Sequence, residues 1–344
     1  MSTRRRRVVI DTDTGVDDAI ALLFALRLGR VDLITACFGN TRLANVIVNV
    51  RKTIKVASPD SLPVVASGAP ESSPTDGSYF HGVDGMGDVP QDSPGFVELD
   101  EQFCAITSLD AVDEFMRLLT EASASGDDVI LVTLGPLTNL ATFLERSSGS
   151  EVSKALSQCF VMGGCANGRG NATRSAEFNV YMDPEAAARS FAALQSPEWE
   201  HCATTVISWD LCTQHPLPWH IFQHLVYDGE AGGKLRDFVA AIARKPFPPA
   251  EAREGDVDAK RGNGAVVCDL LAVAVALYPE LALSAELTHV DVEIGGRHTR
   301  GTTVVDFGHC YDGVSRLKRI RWVTSVDVER YSQLFASLFT TSKT

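Results

Sequence analysis

From residue 8 to residue 208 the chain alternates short β-branched and aliphatic runs with longer stretches of helical periodicity. Repeated strand and helix builds a mostly parallel sheet, because parallel neighbours need a crossover and a helix supplies it while covering one face. Strands are expected at 8–11, 32–38, 63–66, 129–134, 159–162 and 204–208, and helices at 17–28, 43–57, 109–124, 137–146 and 183–194. The last of these opens on Asp183-Pro184-Glu185, a capping acid followed by proline at the first helical position. The apolar run 265–278 reads as a helix, followed by short strands near 286–305 and 316–324 and a final helix from about Asp327. The expected fold is α/β: an open, Rossmann-like, mostly parallel sheet flanked by helices, one domain over residues 1–344.

Two segments interrupt this rhythm. Residues 67–104 are rich in Gly, Pro, Ser and Asp and include His81-Gly82-Val83-Asp84-Gly85-Met86-Gly87. Residues 209–264 carry Trp209, His215, Trp219, His220, His224 and the Pro-containing stretch 245–249, and read as two helices plus a mobile flap. Both are too long to be idle connections, so they are expected to lie over an active site.

A net charge of −13 argues against nucleic acid as a partner, since phosphate binding needs a basic footprint. No run of about 18 uncharged apolar residues exists, so no membrane span is expected. The eight cysteines contain no CxxC pair and read as reduced core thiols, which favours a cytoplasmic enzyme. Arg4 to Arg7 precede only Val8-Val9-Ile10 before Asp11, too short for an export signal. Ser342-Lys343-Thr344 resembles a peroxisomal address but lacks its final Leu.

The chemistry concentrates in Asp11-Thr12-Asp13-Thr14-Gly15-Val16-Asp17-Asp18-Ala19-Ile20-Ala21-Leu22, at the end of the first strand and the start of the first helix. Sites in open α/β sheets form outside the carboxyl ends of strands, so these acids should converge in a crevice. Capping the helix would use one acid. Four Asp within eight residues repel one another if buried alone, and a hard cation relieves that repulsion; all-oxygen ligands favour Ca²⁺ or Mg²⁺ over zinc.

The DxDxGxDDAxAL pattern after an N-terminal strand resembles the inosine-uridine nucleoside hydrolase family, and further matches follow in order. They are Phe38-Gly39-Asn40, Leu134-Gly135-Pro136-Leu137-Thr138-Asn139, Met162-Gly163-Gly164, Asn171, Glu177-Phe178-Asn179, Asp183-Pro184-Glu185, Asn263-Gly264 and Cys268-Asp269. The resemblance implies a Ca²⁺-dependent enzyme that splits the N-glycosidic bond of ribonucleosides. It implies Asp13, Asp18, Asp269 and the Leu134 carbonyl as metal ligands, with Asp13 also the general base toward a water held by the ion. Asp17 and Asn179 are then expected at the 2′-hydroxyl, Asp269 at the 3′-hydroxyl, Asn171 with Glu177 at the 5′-hydroxyl, Met162 beneath the ribose, and Asn40 orienting sugar or water. Asp11 reads as a supporting residue. A purine ribonucleoside, inosine or guanosine, is the expected substrate, and a homo-oligomer, a dimer before a tetramer, the expected assembly.

The chain departs from the pattern before its last metal-binding Asp. One branch of the family has His there and another Trp; Cys268 resembles a third, whose leaving-group chemistry does not carry over from the other two. Cys268 either lines the base pocket or packs as a small hydrophobe. His81 is a candidate to contact or protonate the base, and Trp209, Trp219 and His220 are candidates to stack on it. Two other functions compete. One is a haloacid-dehalogenase-like phosphatase with Asp11 as nucleophile and Asp13 as acid, which lacks its late acidic motif; the other is a non-catalytic Ca²⁺ and ribose-binding protein.

Overall fold

The computed structural model describes residues 4–70, 77–104, 109–229, 233–252, 264–310 and 317–340. Asn263 and parts of both interrupting segments (71–76 and 253–263) lie outside the described residues, as does residue 316. Seven strands enter one sheet in the first two-thirds of the chain: β1 (Arg6–Thr12), β2 (Leu33–Ala36), β3 (Val64–Ser67), β4 (Leu109–Asp110), β5 (Asp128–Thr133), β6 (Leu156–Met162) and β7 (Ala203–Ile207). Ile320–Val326 adds in parallel beside β7, and Ala282–Thr288 closes that edge antiparallel. The order, with Ala282–Thr288 first and then Ile320–Val326, continues β7-β6-β5-β1-β2-β3-β4.

This order sets the position of the site. The chain steps outward from β1 through β2 and β3 to β4, then returns to β5 on the other side of β1 and steps outward again. The reversal puts the switch point, where open α/β sheets bind ligands, at the carboxyl ends of β1 and β5. Asp11–Asp18 leave the end of β1, Gly39 and Asn40 follow β2, Leu134 follows β5 and Met162 ends β6. Every strand-end motif of the sequence therefore reaches one rim.

Strand side chains alternate between faces, and both faces are covered. Val8, Ile10, Ile34, Ile130, Val132 and Phe160 join one apolar cluster, while Val9, Leu33, Leu131, Cys159 and Val161 join the other. On the second face lie the amphipathic helices Ala111–Ser125, Thr138–Ser147 and Pro184–Gln195. The first face holds α1 (Val16–Arg27) against Cys268–Leu277, with α2 (Leu43–Ala57) outside them. Ten of the twelve α1 residues are buried, as are all ten of Cys268–Leu277. A helix buried on nearly every side must be surrounded, and these two pack on each other and on the neighbouring helices, with Cys268–Leu277 also against the sheet.

The structure shifts some expected boundaries. Asp110 caps the Ala111–Ser125 helix by accepting from the Val112 and Asp113 amides, so Leu109 and Asp110 join the sheet edge. Asp183 caps Pro184–Gln195 as expected. In place of the expected pair of helices in 209–264, the described residues form a series of short ones: Trp209–Gln214, Trp219–Gln223 continuing into a wider turn at His224–Asp228, and Lys234–Ala243; the flap reading falls in part on 230–232 and 253–263, outside the described residues. Near 286–305 the chain forms a two-stranded ribbon, Val290–Val292 with Thr303–Val305, beside the edge strand. Among the described residues no helix is long and apolar enough to cross a membrane.

Candidate active site and metal centre

Asp13 stands where β1 ends and is fully buried. Its Oδ2 accepts the Asn40 backbone N–H at 2.7 Å, while its Oδ1 is buried without a hydrogen-bond partner. Two glycines make room for it. A Cβ on Gly39 would collide with the Asp13 carboxylate, and one on Gly135 would lie 2.9 Å from Oδ1. The ends of β2 and β5 thus close on this side chain with bare backbone. Gly39→Ala is expected to displace Asp13 and lower turnover at least tenfold in a ribose-release assay, and a variant of unchanged rate would show that the enclosure is unimportant.

Asp18 is held from three sides. Its Oδ1 accepts from Thr12 Oγ1 at 2.6 Å, and its Oδ2 accepts from the Gly15 amide at 2.9 Å and Asn40 Nδ2 at 3.0 Å. Asp17, Asp18 and Asp269 offer carboxylate oxygens that lie within 4.8 Å of one another, and the Asp18 and Asp17 charges both act on Asp13. The acids of α1 therefore meet the acid at the start of Cys268–Leu277 because the two helices pack side by side.

Burial raises every carboxyl in this group. Asp13 is pushed well above the ordinary carboxylate range by burial first and the Asp18 charge second. Asp269 is pushed well above it too, by burial and then by Asp17, Asp18 and Asp13. Asp17 rises to about 7 through burial and Asp18, and Asp18 rises chiefly through burial. A buried, unpartnered oxygen among mutually repelling acids is a donor set suited to a hard divalent cation.

The remaining expected residues arrange around this cluster. The Leu134 carbonyl, buried at the end of β5, already accepts Asn179 Nδ2 at 2.6 Å and keeps a second lone pair. The same Nδ2 reaches Met162 O at 3.1 Å and Met162 Sδ at 3.2 Å, so Asn179 and Met162 meet. Glu177 caps the turn Phe178–Met182, its carboxylate accepting the Asn179, Gly164 and Val180 amides. Asn171 is exposed and accepts the Phe178 amide through Oδ1 at 2.8 Å, next to Glu177. His81 is buried beside the acids, with Nε2 3.8 Å from Asp17 Oδ1.

Cys268 is buried in the apolar cluster, and a hydrogen bond with the Cys212 thiol, then burial, push its thiol well above the ordinary range. Its side chain packs among apolar neighbours. Trp209 reaches the rim through its backbone, donating to Gly164 O at 2.9 Å; Trp219 packs edge-on against Phe222, and His220 is exposed. Asp11 turns the other way. Alternation puts it opposite Thr12, where Oδ1 accepts from Thr35 Oγ1 at 2.6 Å and Asn139 Nδ2 at 2.7 Å. Asp11 is fully buried, with Oδ1 so engaged and Oδ2 without a hydrogen-bond partner.

Three supporting residues have no role assigned from the sequence, although Thr12 and Asn139 belong to its motifs. Thr12 holds both Asp18 and the Thr14 amide. Asn139 also accepts the Ala69 amide, joining the ends of β1, β2 and β3. Asn49 donates from α2 to Thr14 O and Asp84 O, tying the acidic turn to the His81 loop. Its signal was available: a polar residue within the buried stripe Val46, Val50, Thr53.

A carboxylate cluster able to hold a metal, at the switch point of a mostly parallel sheet, describes a metal-dependent α/β enzyme. The chain belongs to the inosine-uridine preferring nucleoside hydrolases, which residues 8–333 match. It is 29% identical to the non-specific ribonucleoside hydrolase RihC of Escherichia coli O7:K1 (strain IAI39 / ExPEC), over 97% of this chain and 98% of that protein. It is 35% identical to a probable uridine nucleosidase 1 of Oryza sativa subsp. japonica over 191 residues, 53% of this chain and 54% of that protein. The fold superposes on a solved inosine-guanosine nucleoside hydrolase with TM-score 0.82 and 26% identity, over 98% of this chain and 99% of that one. The chain is thus an enzyme, a ribonucleoside hydrolase.

Proposed function

We propose that this enzyme hydrolyses purine ribonucleosides, inosine and guanosine before others, to free base and ribose, with Ca²⁺ held by Asp13, Asp18, Asp269 and the Leu134 carbonyl. The observation that carries the reading is the buried Asp13 Oδ1 without a partner inside a ring of acids. When bound, the ion would supply Lewis acidity toward the ribose hydroxyls and a water, making that water easier to deprotonate. Asp13 accepts that water's proton as its oxygen bonds to the anomeric carbon. The C1′–N bond breaks and its electron pair leaves with the base, which takes a proton from solvent to become neutral, while Asp13 returns the water's proton to solvent. The positive charge that develops on the ribosyl ring is stabilised by the surrounding carboxylates.

We assign the sugar contacts to the polar groups around the acids. Asp17 and Asn179 take the 2′-hydroxyl, Asp269 the 3′-hydroxyl, and Asn171 with Glu177 the 5′-hydroxyl, while Asn40 orients Asp13 and Asp18 through its amide and side chain. The purine preference draws on the inosine-guanosine relative. A cytoplasmic homodimer, with the segments 67–104 and 209–264 bordering the site of one domain, belongs to the same reading.

A panel of inosine, guanosine, uridine and 2′-deoxyinosine, with and without a chelator, tests it. Free ribose should appear fastest from the purine ribonucleosides and cease after complete metal removal. The deoxynucleoside should be slower by up to about 10⁴-fold, because its missing hydroxyl strands buried polar groups. Faster release from uridine would overturn the purine assignment. Stable nucleoside binding without turnover would favour the non-catalytic alternative.

A further inference from the structure

His81 is 7% exposed, and its Nδ1 accepts the Val16 backbone N–H at 3.0 Å. Val16 is the first residue of α1, so the bond satisfies one of the amides that a helix leaves unpaired at its start. An imidazole nitrogen that accepts a hydrogen bond carries no hydrogen, which puts the ring's single N–H on Nε2. A ring protonated on both nitrogens would turn an N–H toward the Val16 N–H. The ring is fixed in this orientation: Phe80 packs edge-on at 4.8 Å, and a Cβ on Gly15 would come within 2.6 Å of Nδ1. Burial first, then the charge of Lys245, push the ring down to about 3, in the same direction.

Nε2 faces Asp17 Oδ1 across 3.8 Å. That gap is too long for a direct hydrogen bond, yet one oxygen lying off the line between them reaches both at about 2.8 Å. Nε2–H donates and the Asp17 carboxylate accepts, so the pair fits a group that accepts and donates through a single atom: a hydroxyl.

We propose that His81 and Asp17 together read one ribose hydroxyl, His81 donating to its oxygen and Asp17 accepting its hydrogen, and that His81 is not the acid that protonates the departing base. The inference rests on the nucleosidase reading above and assigns to His81 a role in choosing ribose over deoxyribose. No proton is transferred by the ring, so its tautomer is the same before and after turnover.

His81→Asn tests this without removing the helix cap, since its side-chain oxygen can accept the Val16 amide while the Nε2 donor is deleted. The variant should lose about 10- to 100-fold in kcat/KM on inosine. It should lose little on 2′-deoxyinosine, so discrimination narrows by the same factor. His81→Gln, which carries a donor near the Nε2 position, should recover part of the loss. p-Nitrophenyl riboside, whose leaving group departs without protonation, should suffer as much as inosine. Sparing of that substrate, or equal losses on inosine and 2′-deoxyinosine, would overturn the proposal in favour of an acid or purely structural role.

A readout free of turnover separates this from the nucleosidase reading. In long-range ¹⁵N–¹H spectra of histidine-labelled wild-type protein, the signal missing in His81→Asn should show an unprotonated Nδ1 and a protonated Nε2. The opposite tautomer or an imidazolium would end the proposal even in an active enzyme. The expected tautomer in a protein that releases no ribose from any nucleoside would instead defeat the proposed function.

Discussion

Replacing Asp13 with Asn, at saturating calcium, is expected to lower ribose release from inosine by about 10²–10⁴-fold. The substitution keeps the shape of the side chain and its acceptor for the Asn40 amide, but removes the capacity to take a proton. It also removes one charge from a buried group whose members raise one another, so the metal-free variant should melt no lower than the metal-free parent. The two readouts together isolate the chemistry: a slow but well-folded enzyme identifies Asp13 as the base. Calcium affinity, measured separately by titration calorimetry, should also fall, since a carboxylate ligand is lost. A variant that binds calcium and turns over at the parental rate would end the assignment.

The second large effect concerns pH. In the metal-free enzyme, Asp11 is raised to about 6 and Asp17 to about 7 from an ordinary 3.8, with burial the main cause of each. Asp13, Asp18 and Asp269 move in the same direction. The folded state therefore holds protons that the unfolded chain has released, and this contribution is complete below about pH 4 and lost as pH rises through about 6 and 7. For the fully buried Asp11 alone, the displacement from 3.8 to about 6 corresponds to roughly 3 kcal/mol. Thermal melts in chelator should fall between about pH 5 and about pH 8. Calcium should reverse the trend, because its binding displaces the same protons and strengthens as pH rises. At about 100 times its dissociation constant it adds about 2.7 kcal/mol. A metal-free protein that melts higher at the alkaline end would contradict the picture of neutralised, crowded acids.

Much of the scaffold was legible because its signals are local. The alternation of strand and helix patterns predicts the parallel sheet, and Asp183-Pro184 marks a helix start that the structure keeps. The short helices between 209 and 243 were harder to read, since elements such as Trp209–Gln214 span too few residues to display a helical period. Asp11 illustrates a signal that was present and underused: strand alternation alone places it on the face opposite Thr12, toward Thr35 and Asn139 rather than toward α1.

By itself, the order of residues determined that acids would gather at the end of the first strand and that 268–277 would be buried, because both follow from spacing along one element. Only the tertiary structure decided that Asp269 would meet Asp17 and Asp18, through the packing of two largely buried helices that are remote in the chain. It alone decided which nitrogen of His81 carries the hydrogen, since the Val16 amide that dictates this lies 65 positions away. Charges repel and hydrogen bonds form across space, and contacts between distant segments exist only after the core has closed.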